Sequence, residues 1–333
     1  MITGATGFIG QRLCERLSQD AVQNYLPFVR TAASAPTTGT GQLPAAVGDL
    51  LDAGTVRRAL AGCDAVVHLA HGDRAVLATR RLIETSIEQG VRRFVHISTM
   101  SVHGPVPGPE ASREDTARIG RYDHDYSDSK AEQEEIVKAA HGRGDLEVVI
   151  LRPTIVYGPG SHFVRQIIAQ ARDGKVSLFD RGQGICNAVF VDDLCTAIDK
   201  ALISRDAVGE AMFINGNEEL SWQQFIKEFA CMVAPTPEFI NLSSDEARRY
   251  WAAHPPAPAP SLGERIRMKL KRLGGWTPEV APWPALGRVE RETFPIFFTN
   301  DKAKRLLDWA PQTDFSKGKA LTRQWLDQSG MLA

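Results

Sequence analysis

Apolar positions alternate between two patterns over the first half of the chain. Short runs rich in β-branched and aromatic residues, Asn24–Arg30, Ala65–Leu69, Arg93–Ser98 and Glu147–Leu151, read as buried strands. Between them, Gln11–Ser18, Ala53–Ala61, Ala75–Glu88 and Ser127–Ala140 repeat apolar residues at the helical period. Strands alternating with helices at this spacing predict an α/β domain, a doubly wound parallel sheet covered on both faces.

The second half breaks this rhythm. All six tryptophans lie between Trp222 and Trp325, and prolines cluster from Pro255 to Pro260 and recur at Pro278, Pro282, Pro284 and Pro295. Proline lacks the donor that helix interiors and central strands use. Residues 241–295 therefore read as an irregular excursion, a lid or wall over the substrate or a structural insertion. Within it Leu262, Ile266, Leu270 and Leu273 share one helical face, flanked by Arg265, Arg267, Lys269, Lys271 and Arg272. Such a basic amphipathic helix, 262–273, could touch a membrane surface peripherally or grip a phosphate; packing on its own protein is the favoured reading.

Composition narrows the function class. With 333 residues, 43% hydrophobic, 24% charged and a net charge of -1, the chain has the make-up of a globular protein of one large or two joined domains. The charge balance gives no basic stripe for nucleic acid. No apolar run is long enough to span a membrane. The five cysteines form no C-x-x-C pair, so neither a metal site nor a disulfide framework is expected, and a cytoplasmic setting is the simplest one. A small molecule remains as the partner.

Two motifs supply the chemistry. Gly4-x-x-Gly7-x-x-Gly10 follows the short β run Met1–Thr3 and opens a helix. Glycines there let backbone N–H groups approach a pyrophosphate, to which the helix N-terminus adds partial positive charge. At the end of the next strand stand Val29 and Arg30 rather than an acidic residue. Arginine can pair with a 2′-phosphate, so NADP is expected over NAD. Asp49 and Leu50 are placed to reach the adenine, with an N-cap role open to Asp49. Only Met1, Ile2 and Thr3 precede Gly4, short for a central strand, so the expectation is that the native strand begins upstream. The second motif is Tyr126-Ser-Asp-Ser-Lys130, whose phenol and ammonium share a helical face. Lowering a tyrosine from its ordinary value of about 10 by about three units needs about 4 kcal/mol. A nearby ammonium together with an oxidised nicotinamide can supply that order of energy. Such a tyrosine takes a proton from an alcohol or gives one to a ketone. Ser98 and Thr99 supply hydroxyls at the end of the preceding strand.

With these motifs stand GDLLD (Gly48–Asp52), GCDAVVHLA (Gly62–Ala70), GVRRFVHIST (Gly90–Thr99), LRPTIVYGPG (Leu151–Gly160), VFVDDL (Val189–Leu194) and WAPQTDFSKG (Trp309–Gly318). In that order they resemble the extended short-chain dehydrogenase/reductases of the NAD(P)-dependent epimerase/dehydratase family. Only 241–295 falls outside the resemblance. It implies a Rossmann-type doubly wound parallel sheet over 1–160, with 186–215 returning to it. A smaller C-terminal α/β substrate lobe would comprise 161–185 and 216–333. Catalysis would rest on Thr99, Tyr126 and Lys130. The cofactor would meet Gly4, Thr6, Gly7, Phe8, Ile9, Gly10, Arg30, Asp49, Leu50, Leu69, Ala70, His71, Tyr126, Lys130, Pro153 and Ile155. Met100, Ser101, Tyr157 and Asn187 would face substrate. A homodimer through Ala75–Glu88 and Ser127–Ala140 is implied as well.

Departures from the family pattern narrow the reaction. Met100 and Ser101 stand where the 4,6-dehydratases carry an Asp-Glu pair and the decarboxylating relatives an acid, so both eliminations are disfavoured. Ile155 replaces an asparagine, and Asn187 an arginine, both aimed at a nucleotide diphosphate. The expected activity is therefore reversible hydride transfer at a secondary alcohol or ketone. Epimerisation of a (nucleotide-)sugar is the first alternative and a non-catalytic dinucleotide sensor the second.

Overall fold

The computed structural model describes residues 1–19, 24–39, 41–122, 124–255 and 283–332. The basic stretch 262–273 lies outside the described residues. In chain order the elements that build the site are β1 (Ile2–Thr3), α1 (Phe8–Leu17), β2 (Pro27–Val29), β3 (Ala46–Val47), α2 (Ala53–Leu60), β4 (Ala65–His68), α3 (Ala75–Glu88), β5 (Arg93–Ile97), α4 (Asp125–Ala140) and β6 (Glu147–Pro153). They continue with β7 (Ile155–Tyr157), α5 (His162–Arg172), β8 (Lys175–Phe179), β9 (Ala188–Phe190), α6 (Val191–Ile203), β10 (Ala211–Ile214), α7 (Trp222–Ala230) and β11 (Glu238–Leu242). The last four are α8 (Ser244–Ala253), α9 (Leu286–Thr293), α10 (Asp301–Leu307) and α11 (Phe315–Gln328).

Seven strands form one sheet in the order β10-β6-β5-β4-β1-β2-β3. All its pairings are parallel, with Val67 opposite Val95 and Ile97 opposite Leu151 in the centre. The order reverses between β1 and β4, the place where such sheets open a crevice at the strand C-termini. Every residue of β5 and nearly all of β6 is buried, as a strand covered on both faces requires. Leu13, Cys14 and Leu17 of α1 and Leu194, Cys195 and Ile198 of α6 cover one face. Val56 and Leu60 of α2, Leu82 and Ile83 of α3 and Val137 of α4 cover the other.

A smaller lobe of helical and β elements flanks the sheet. Its separate core holds Tyr157, Ile168, Trp222, Phe225, Phe229 and Phe315, packed largely edge to face. The expectation of an irregular 241–295 needs correction at both described ends. Here β11 pairs in parallel with β8 over five residues, and α8 and α9 are regular helices. The reason is positional. The prolines fall between these elements, while α8 opens on a proper cap, the Ser243 hydroxyl accepting from the Glu246 N–H.

Candidate active site

Two hollows meet at the C-terminal end of the sheet. The first is a cleft of about 580 Å³ over the β1–β4 switch point, lined by Gly4, Thr6, Gly7, Val29, Arg30, Asp49, Leu50, Leu69, Ala70 and His71 among others. Its floor is made of backbone. Gly4 turns the chain at φ +71°, and a Cβ there would stand 2.7 Å from the Ala70 nitrogen. A Cβ on Gly10 would stand 2.3 Å from the Gly4 carbonyl oxygen. Any side chain at either position would fill the approach or push α1 off the strand. Gly7 caps α1 through extended backbone with no side-chain bond, leaving the helix start facing the cleft. These residues fit a dinucleotide. Phe8 and Ile9 instead pack half-buried against the core, and Pro153 lines neither hollow. The cap of α2 is Asp52, which accepts from the Gly54 N–H, whereas the Asp49 carboxylate accepts from the Leu51 N–H.

The second hollow, about 340 Å³, is lined by Thr99, Met100, Ser101, Tyr126, Thr154, Ile155 and Phe163, closed by Gly287, Arg291, Phe294 and Phe298. Thr99 ends the buried run of β5, and its hydroxyl accepts from the Ser101 N–H at 3.2 Å. Tyr126 is the second residue of α4. The approach to that helix is pinned by Asp128, whose carboxylate accepts from the Tyr122 and His124 N–H groups. Lys130, 3% exposed, donates to the Ile97 carbonyl at 2.8 Å. Burial lowers its ammonium to about 8, with Glu134 working against the fall.

Tyr126 is 38% exposed, yet desolvation pushes its phenol up, and the neighbouring Thr99 hydroxyl, which donates to the Ser101 hydroxyl at 3.2 Å, pulls the other way. The lowered phenol expected from the Tyr-Lys spacing also calls for an oxidised nicotinamide beside it. One of the three ammonium donors is taken by the Ile97 carbonyl, which leaves two for other partners. His71 meets Tyr126 edge to face at 4.9 Å, joining the two hollows, and burial lowers its imidazole. Beneath the site, burial also lowers His68, to about 3, and His96. Both are therefore neutral at pH 7, and His68 bridges Thr3 and Thr79.

Neither Tyr157 nor Asn187 lines either hollow. Tyr157 is 2% exposed inside the second core. Asn187 is 1% exposed; it donates to the Ile296 carbonyl and accepts from the Phe298 N–H, tying the late chain to β9. The charged residue that does reach the cavity is Arg291 of α9. Its guanidinium lies over Phe163 at 5.2 Å and Trp222 at 5.8 Å, and 3.7 Å from Glu292. Its Nε is buried with no hydrogen-bond partner, and burial lowers its pKa. Sequence reasoning missed Arg291 because no spacing rule connects it to Thr99 or Tyr126. Among the described residues no cluster could hold a metal ion, and no helix is long and apolar enough to cross a membrane.

A dinucleotide cleft joined to a Tyr-Lys-Thr cavity defines an NAD(P)-dependent oxidoreductase or epimerase. The chain belongs to the NAD dependent epimerase/dehydratase family, whose profile matches residues 1–215. It is 28% identical to a 2-alkyl-3-oxoalkanoate reductase of Stenotrophomonas maltophilia, over 96% of each chain. It is 26% identical to a 3beta-hydroxysteroid-dehydrogenase/decarboxylase isoform of Arabidopsis thaliana, with 96% of this chain spanning 60% of that protein. Among solved structures it resembles MoeE5 in complex with UDP-glucuronic acid and NAD, with TM-score 0.73, 23% identity and 98% of both chains covered. It is an enzyme of NAD(P)-dependent oxidoreductase or epimerase/dehydratase chemistry.

The NADP expectation is corrected. Where the similar solved structures hold a dinucleotide it is NAD: in MoeE5, in a UDP-glucuronic acid 4-epimerase from Bacillus cereus and in dTDP-glucose 4,6-dehydratases from Bacillus anthracis and Streptomyces venezuelae. The expectation rested on Arg30 and on Val29 standing where an acidic residue would favour NAD. The Arg30 side chain is exposed at the rim of an open cleft, where a lone arginine does not force a 2′-phosphate.

Proposed function

We propose that this chain is an NAD-dependent epimerase of an anionic sugar-type substrate, a nucleotide sugar being the best fit. NAD bound in the cleft supplies a hydride acceptor that can also give the hydride back. Tyr126 takes the hydroxyl proton as the carbon–hydrogen bond breaks and returns it after the ketone has turned its other face. Thr99 holds the reacting oxygen, and Lys130 holds the cofactor ribose and supports the phenolate. Gly4, Gly7 and Gly10 cradle the pyrophosphate, Asp49 and Leu50 receive the adenine end, and Leu69, Ala70 and His71 flank the cofactor. Met100 and Ser101 meet substrate. Neither can serve as the acid-base pair that water elimination needs, which speaks against dehydration.

The observation that carries the reading is Arg291. Its guanidinium stands in the wall of the cavity that holds Thr99 and Tyr126, with a buried donor left over. A buried donor without a partner costs free energy that an anionic oxygen would recover. A dinucleotide that stays bound also suits hydride return to the same substrate.

A second reading, reduction of a 3-oxoacid, is favoured by the apolar wall of Met100, Phe294 and Phe298 and by the reductase relative that matches end to end. Its carboxylate would use the same arginine. Incubating the NAD-loaded protein with UDP-sugars decides: epimer formation without net NADH change supports epimerisation. Consumption of NADH in step with a 2-alkyl-3-oxoalkanoate supports the reductase, and turnover of neither substrate overturns both.

A further inference from the structure

Glu134 lies one turn beyond Lys130 and two beyond Tyr126 on the same side of α4. It is fully buried, 0% exposed, and its partner Arg152 is 3% exposed. The pair is bidentate, Arg152 Nε to Oε1 at 2.9 Å and a terminal nitrogen to Oε2 at 2.7 Å. Oε1 also accepts from the Ser98 hydroxyl at 2.6 Å, and Lys138 stands 3.2 Å from Oε2 at the edge. Burial pushes the Glu134 carboxyl up, yet Arg152 overcomes it and holds the group at about 2.

Each partner neighbours a part of the site. Ser98 precedes Thr99, and Arg152 lies at the end of β6, before Pro153, Thr154 and Ile155. One carboxylate thus ties the Tyr126–Lys130 face to both strand ends. Stability alone is a poor account of it, because a buried ion pair can often be exchanged for apolar residues at no loss. Bidentate geometry does fix distance and angle.

We propose that Glu134, gripped by Arg152 and Ser98, is the positioning residue of this site, holding Tyr126 on α4 in register with Thr99 just past β5. It touches neither reacting atom. It acts by fixing where α4 stands against the ends of β5 and β6, and so how closely the Tyr126 phenol approaches the Thr99 hydroxyl. The inference rests on Tyr126 being the proton-transfer group, but not on the identity of the substrate.

The test is the near-ultraviolet titration of Tyr126 in the NAD-loaded protein, read as the difference from Tyr126→Phe in the same background. Thr99→Val sets the scale: losing one hydrogen bond to the phenolate should raise the Tyr126 pKa by about one unit. The double variant Glu134→Leu/Arg152→Met removes both charges, so net charge is unchanged. It is expected to keep a wild-type melting temperature and to shift Tyr126 upward toward the Thr99→Val value. Ser98→Ala changes no charge and is expected to shift it upward by less. A folded double variant with Tyr126 unmoved overturns the proposal. If the double variant does not fold, Ser98→Ala decides, and an unmoved Tyr126 there overturns it equally. The readout needs no substrate, so a wrong choice of substrate under the epimerase reading leaves this result standing.

Discussion

The two hollows of the site are built from different material. The cofactor cleft has a floor of backbone, made where one short strand ends and one helix begins. Its fit depends on side chains being absent at Gly4 and Gly10. The substrate cavity is walled by side chains from the segment after β5 and from α4, β7, α5 and α9, and no single segment contains it. A backbone site tolerates almost no substitution at its glycines, but it does not choose between substrates. A side-chain site can be altered residue by residue, and each residue changes what is bound. The two also differ in charge. The helix start offers partial dipole charge to a pyrophosphate, whereas the cavity offers one whole guanidinium.

The largest effect should come where the two hollows join. Tyr126→Phe removes the proton carrier and leaves the cleft intact. It should lower kcat by about 10²–10⁴-fold, while NAD affinity by calorimetry stays near the wild-type value. A comparable loss of NAD affinity would mean that the hollows are one site and not two. Gly10→Val is the converse. Its Cβ alone lands 2.3 Å from the Gly4 carbonyl, so NAD binding should be lost and the melting temperature should fall, overpacking costing about 1–3 kcal/mol. Smaller, and confined to the cavity, is Arg291→Met. Losing a charge-assisted bond to substrate should raise KM by about 10–100-fold and leave NAD affinity alone. An unchanged KM would remove the arginine from the substrate site.

The glycine turn of the cleft and the Tyr126–Lys130 pair were legible in sequence because each is local. Gly4, Gly7 and Gly10 lie in one turn, and Tyr126 and Lys130 are one helical turn apart, so fixed spacing carries the geometry. Helix Ala75–Glu88 was read to the residue for the same reason, its apolar period being unbroken. The cavity was only half legible. Thr99, Met100, Ser101 and Ile155 follow strands whose order the fold dictates, and they arrived there. Tyr157 and Asn187 were expected at substrate and are buried elsewhere. Residues alternate sides along a strand, and a motif does not say which side faces the cavity. Arg291 comes from α9 and Phe294 from just past its end, and the docking of that helix is set by contacts such as Trp222 Nε1 donating to the Arg291 carbonyl and Arg288 donating to the Ser177 carbonyl. Long-range contacts of that kind leave no period in the sequence. The cofactor expectation failed for a related reason: Val29 and an exposed Arg30 at one strand end were taken to settle a choice that several groups make together.

The smallest effect sharpens the comparison through pH. Burial holds the Lys130 ammonium at about 8, below its ordinary value of 10.5. Below about 8 it is a cation in the folded and the unfolded chain alike. Between about 8 and 10.5 the folded chain gives up a proton that the unfolded chain keeps. The unfolded state then binds more protons, so this residue's contribution to stability grows as pH rises through that window. Activity should move the other way. Above about 8 the cation that supports the Tyr126 phenolate is gone, and kcat should fall while the fold holds. Parallel profiles of kcat and of the denaturant midpoint against pH measure both trends. In Lys130→Met the gain in stability above pH 8 should disappear, and the alkaline fall in the residual kcat should flatten. If the alkaline limb survives in that variant, the titrating group is not Lys130, and the phenolate draws its support from the cofactor side of the junction instead.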